Sequence, residues 1–89
     1  MTNGRPFTAL QGQYLAFIRA YTLLNRRAPA EADMQRFFRV TPPSVHRMVI
    51  ALQDRGLVEG IPGRARSLRL LVPIADLPAL EDPHPSEQG

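Results

Sequence analysis

Between residues 8 and 25 the apolar residues Leu10, Tyr14, Phe17, Ile18, Tyr21 and Leu24 recur at intervals of three and four. That spacing draws one stripe down an α-helix. Thr8 stands where an N-cap belongs, and Asn25, which tolerates the left-handed backbone, is placed to end the helix. A shorter helix is expected from about Ala30 to Phe38, contributing Met34, Phe37 and Phe38. Its Glu31 and Asp33 lie in the first turn, where negative charge suits the helix dipole. Arg39 and Val40 then form a tight turn into TPPSVHRMVIALQDRG, residues 41–56. Here Thr41 is the expected N-cap, its oxygen accepting from the N–H of Ser44. Pro42 and Pro43 occupy positions whose N–H groups would go unbonded anyway. Gly56 suits the left-handed residue that closes a helix. Val45, Met48, Val49 and Leu52 make the buried stripe.

After Gly56 the period changes. Leu57-Val58-Glu59 reads as a strand, Gly60-Ile61-Pro62-Gly63 as a loop, and Ser67 to Leu71 as a returning strand with Leu68 and Leu70 inward. Two short helices, a polar-fronted third helix and a β-hairpin predict a mainly α fold with a small β-hairpin, a three-helix winged helix-turn-helix. The domain is expected over residues 8–71. Residues 1–7 read as a disordered lead, and 72–89 as a proline-rich, acidic tail, partly disordered.

Charge sharpens this picture. All eleven basic residues are arginine, and every one lies at or before Arg69, against four acids in the same span. The other four acids, Asp76, Glu81, Asp82 and Glu87, follow it. A basic body suits a polyanionic partner. There is no cysteine, which excludes disulfides, thiolate metal sites and a Cys nucleophile. No apolar run reaches the roughly twenty residues of a membrane span, and the first residues carry no hydrophobic signal segment, so a cytoplasmic protein is expected. His46 and His84 are too isolated to predict a metal site, and no cofactor or small-molecule ligand is indicated. Neither a glycine-rich phosphate loop nor a plausible set of catalytic side chains is present, so an enzyme is not expected.

Short and basic donors at the front of the third helix are what a helix needs to enter a DNA major groove. Arg47 can fork onto guanine N7 and O6 or touch phosphate, which positions without specifying; the sequence leaves both open. His46 can donate to a base or a phosphate, and Ser44 has the same options. Ile50 lies off the buried stripe, where it can pack under the wing, meet a thymine methyl or join a subunit contact. Arg64 and Arg66 sit at the hairpin tip, beside a DNA backbone or minor groove, and Arg69 faces water or phosphate.

Three segments carry a family resemblance: TALQGQYLAFIRAY, TPPSVHRMVIALQDRGLV and PGRARSLRL. Together they resemble the N-terminal DNA-binding domain of LexA-type repressors over about Phe7 to Leu71. The resemblance implies a winged helix-turn-helix on double-stranded operator DNA, usually as a homodimer on two half-sites. By that resemblance Thr41, Pro43, Ser44, His46 and Arg47 meet base edges, while Arg64 and Arg66 meet phosphate or the minor groove. The family's turn glycine corresponds most nearly to Arg39. Its self-cleaving second domain uses a Ser nucleophile and a Lys base. With no lysine here, self-cleavage is not carried over. The expected function is a sequence-specific regulator of transcription, a repressor acting by promoter occupancy. The alternative is a protein-interaction adaptor on the same scaffold, suggested by the apolar residues Ile74, Leu77 and Leu80.

Overall fold

A computed structural model describes residues 6–84 of the chain. Three helices form in the expected order: α1 (Ala9–Asn25), α2 (Glu31–Phe38) and α3 (Pro42–Asp54). Strands β1 (Val58–Glu59) and β2 (Arg69–Leu70) follow, paired antiparallel with Val58 opposite Leu70 and Glu59 opposite Arg69. The Leu71 N–H donates to the Leu57 carbonyl at 2.9 Å and extends the hairpin at its base. The winged helix-turn-helix expected from the sequence is the fold that forms.

Helix α1 opens with a reciprocal cap. Thr8 Oγ1 accepts from the Gln11 N–H at 3.1 Å, and Gln11 Oε1 accepts from the Thr8 N–H at 3.0 Å, which satisfies two donors a bare helix end would leave open. At the other end the left-handed residue is Arg26 (φ 62°) and not Asn25. Asn25 stays helical, and its side-chain amide donates to the Tyr21 carbonyl at 3.0 Å.

The core differs from a single stripe. Tyr14, Phe17 and Ile18 are buried as expected, but Leu15 is fully buried too, whereas Leu10 is 54% and Leu24 80% exposed. The middle of α1 is covered from more than one side. On one flank the Tyr14 ring stacks on Phe38 at 4.0 Å and Phe17 on Phe37 at 4.7 Å. Leu68, Leu70, Leu77 and Leu80 close over the same cluster from β2 and the tail. Leu10 and Leu24 lie outside this cluster and remain exposed.

The boundaries of the domain shift outward. Phe7, expected in the lead, is buried in the core. It lies against Gly12, where an added Cβ would come within 3.0 Å of the Phe7 ring and 3.1 Å of Pro78. The tail makes one 3-10 turn over Ile74–Asp76 and then runs back along α1. There the Gln13 amide donates to the Ala79 carbonyl at 2.9 Å and accepts from the Glu81 N–H at 2.8 Å. His84 Nε2 lies 3.0 Å from the Phe38 carbonyl at the end of α2. Residues 1–5 of the expected lead and 85–89 of the expected tail lie outside the described residues.

Leu15→Ala is expected to cost about 2–5 kcal/mol, since it opens a cavity at a site closed on several sides. Leu24→Ala is expected to change stability by less than about 0.5 kcal/mol. Urea unfolding of the two variants checks the difference.

Candidate nucleic-acid interface

The turn from α2 to α3 is made by Arg39 in the left-handed region (φ 55°), its N–H bonded to the Gln35 carbonyl. At the start of α3, Thr41 Oγ1 accepts from the Ser44 N–H at 3.3 Å and donates to Ser44 Oγ at 3.0 Å. The two prolines fill the first helical positions. Val45, Val49 and Leu52 are buried, with Met48 half-buried beside them. A helix that commits this stripe inward must turn its opposite side out. Thr41, Pro43, His46 and Arg47 are accordingly exposed, with Ser44 half-buried at their edge.

Arg47 makes no ion pair among the described residues. His46 Nδ1 lies 3.4 Å from Glu31 Oε2, both side chains well exposed. An exposed pair of this kind contributes little and yields readily to a stronger partner.

The wing is fixed from within. Gly63 takes a left-handed backbone (φ 76°), and the Arg64 N–H donates to the Ile61 carbonyl at 3.0 Å. Ser67 Oγ accepts from the Ile61 N–H at 2.9 Å and donates to the Arg64 carbonyl at 2.8 Å, tying the two arms of the tip together. Arg64 is exposed at this tip, without an ion pair among the described residues. A groove separates the tip from α3, with His46, Ile50 and Gln53 on one bank and Ile61 and Arg64 on the other. Ile50 is therefore a wall of this groove.

Two wing arginines make contacts within the chain. Arg66 turns inward from the wing: its guanidinium donates to the Tyr21 hydroxyl at 2.9 Å and the Ala28 carbonyl at 3.3 Å, and lies 3.1 Å from Asp33 Oδ2. One of its nitrogens, Nη1, makes all three contacts to the body, while the residue still lines the groove beside α3. Arg69 pairs across the hairpin with Glu59 and lines a separate groove with Arg19 and Thr22 of α1. The strand alternation that points Arg69 outward sends it to the α1 side and away from α3. Thr41, Pro43, Ser44, His46 and Arg47 are brought together at the front of α3, and Arg64 and Arg66 line the groove beside it.

Asp33 is the buried charge beneath this site. Burial would raise its carboxyl, but the Ala30 N–H (2.8 Å), Arg66, the Tyr21 hydroxyl and Arg36 together hold it below the ordinary aspartate value of 3.8. Arg36 binds its other oxygen at 2.6 Å. Arg66 in turn is held more firmly charged, chiefly by the Tyr21 hydroxyl. Tyr21 and Asp33 were legible only as a core aromatic and a helix-start charge. Nothing in their spacing predicts that both meet a wing residue more than thirty positions later.

A polar-fronted helix set on a helix-turn-helix and flanked by an ordered basic hairpin defines a winged helix-turn-helix protein. Within that class the chain belongs to the LexA DNA binding domain family, which matches residues 4–67. It is similar to the LexA repressor of Thermosipho melanesiensis, 33% identical over 67 residues, covering 75% of this chain and 34% of that protein. Similar too are the LexA repressors of Thermosipho africanus (31% identical over 67 residues, 75% and 34% covered) and Thermotoga neapolitana (30% over 66, 74% and 34%). The chain spans about a third of the length of these relatives.

A carboxyl held below its unfolded value stabilises the fold above that value and loses the contribution as pH falls through the folded one. Stability is therefore expected to drop as pH falls below about 3.8, and Asp33→Asn should flatten that acid limb. Thermal unfolding of both proteins between pH 6 and the acid limb measures the effect.

Proposed function

We propose that the chain is a sequence-specific double-stranded DNA-binding regulator of transcription, acting as a repressor by occupying its site. The observation that carries this reading is the outward face of α3, with Arg47 and His46 exposed and Arg64 facing it across a groove. A major groove about 12 Å wide admits a helix of this kind, and the wing tip would then stand over the adjoining backbone. In this reading Thr41, Pro43, Ser44, His46 and Arg47 meet the bases and nearby phosphates, and Arg64 meets phosphate or the minor groove. Membership of the LexA DNA binding domain family and the likeness to LexA repressors support it.

One domain of this size reaches few phosphates and base pairs, so two copies on paired half-sites would give the useful affinity. In this reading the regulator works in the cytoplasm; no helix among the described residues is long and apolar enough to cross a membrane. The alternative of an adaptor module loses part of its cue, because Leu77 and Leu80 pack against this chain's own core.

Selection from random duplexes identifies the preferred site, and an enriched palindrome is the expected result. On that site Arg47→Ala should cost about 1–3 kcal/mol of discrimination, roughly 5- to 150-fold, with a smaller change on random duplex. Arg64→Ala should weaken both alike and lower the salt slope by about one. Binding that is indifferent to salt and to both changes would overturn the assignment.

A further inference from the structure

Three elements distant in sequence converge on one guanidinium. Tyr21 comes from the last turns of α1, Ala28 from the connector, and Asp33 from the first turn of α2, and all three meet Arg66 within 3.3 Å. The Arg66 carbon also lies 5.8 Å from the centre of the Tyr21 ring. The contact is not incidental to a surface side chain. Asp33 is buried, and Oδ2, the atom facing Arg66, is also the acceptor for the Ala30 N–H that starts α2. Arg66 itself holds a left-handed backbone (φ 57°), a conformation seldom taken by residues with a Cβ and kept only where surroundings enforce it.

We propose that Arg66 is a positioning residue: it latches the wing to the first turn of the helix-turn-helix and so fixes where Arg64 stands relative to α3. The inference rests on the DNA-binding reading for its consequence, though not for its structural content. The hairpin holds only two residues per strand in its ladder, too little to orient the nine-residue excursion of residues 60–68 by itself. Ser67 ties the tip to itself, which sets its shape but not its place. Leu68 anchors the returning arm on the core, and the Arg66 guanidinium supplies a polar attachment beside it. It joins the wing to the same carboxylate that caps α2, so the height of the wing and the start of the helix-turn-helix share one anchor. The hydroxyl, the carbonyl and the carboxylate all converge on the single nitrogen Nη1.

The position has a further consequence for charge. A cation already neutralised by a buried carboxylate contributes little to counterion release, so the salt slope should count Arg64 and not Arg66.

The test compares Arg66→Gln, Tyr21→Phe, Arg64→Ala and the Arg64→Ala/Arg66→Gln double variant in the full 89-residue chain. Backbone relaxation by NMR should show residues 60–67 more mobile in Arg66→Gln, and to a lesser degree in Tyr21→Phe, while α3 amides are unchanged. Anisotropy titration of a random-sequence duplex over several salt concentrations should show Arg66→Gln weakening binding several-fold. In the Arg64→Ala background the same change should add less than twofold, and Tyr21→Phe, whose hydroxyl is turned to Arg66, should weaken binding in the same direction. A wing equally ordered in Arg66→Gln, or fully additive losses with a salt slope lowered by about one, would overturn the proposal and make Arg66 a direct contact. Failure of the parent protein to bind any duplex would sink the DNA reading, and the relaxation data would still decide the latch.

Discussion

A helix of thirteen residues can give only one side to a core of this size, and that constraint organises the molecule. Burying Val45, Val49 and Leu52 of α3 between the other helices and the first strand leaves Thr41, Pro43, His46 and Arg47 no place but the outside. The caps define the ends of that helix: Thr41 closes one, and Gly56, with its positive φ of 72°, turns the chain away from the other. Everything after Gly56 then starts from a known direction. Val58 enters the core, its strand partner Leu70 follows, and the hairpin rises beside the exposed face of α3.

Much of this was legible because it rests on local rules. Periodicity located three helices, the switch to alternation located the hairpin, and Thr8, Thr41 and Gly56 marked ends that the structure keeps. The misses are those of a one-dimensional pattern. A single stripe on α1 presumes a helix covered on one side; with aromatics of α2 on one flank and leucines from β2 and the tail on another, Leu15 is sealed while Leu24 is not. Phe7 reads as part of a disordered lead and the tail as partly disordered, because the tail's partners Gln13 and the end of α2 are remote in sequence.

The candidate site was legible in the same proportion. The exposed front of α3 follows directly from its buried stripe. The wing arginines do not separate so easily, since residues 64, 66 and 69 look alike when only composition and proximity to a turn are considered. Their fates diverge because of groups outside the hairpin: Asp33 and Tyr21 claim one guanidinium, Glu59 claims another, and Arg64 is left facing the groove. Arginine also serves as the bend-forming residue at Arg26, Arg39 and Arg66, where glycine or asparagine is the usual choice. Sequence rules that seek glycine at such positions pass over all three.

The serine bridge across the hairpin tip bears on the thermodynamics of association. Ile61 and Arg64 are already tied through Ser67 before any ligand arrives, so docking this loop would not require freezing a wandering backbone. Ordering a rotamer-rich side chain at an interface costs about 0.5–1.5 kcal/mol, and here that loss would fall on the Arg64 side chain and not on the loop that carries it. Preorganisation of this sort would appear as a smaller unfavourable entropy on binding than a loose wing of equal charge would incur.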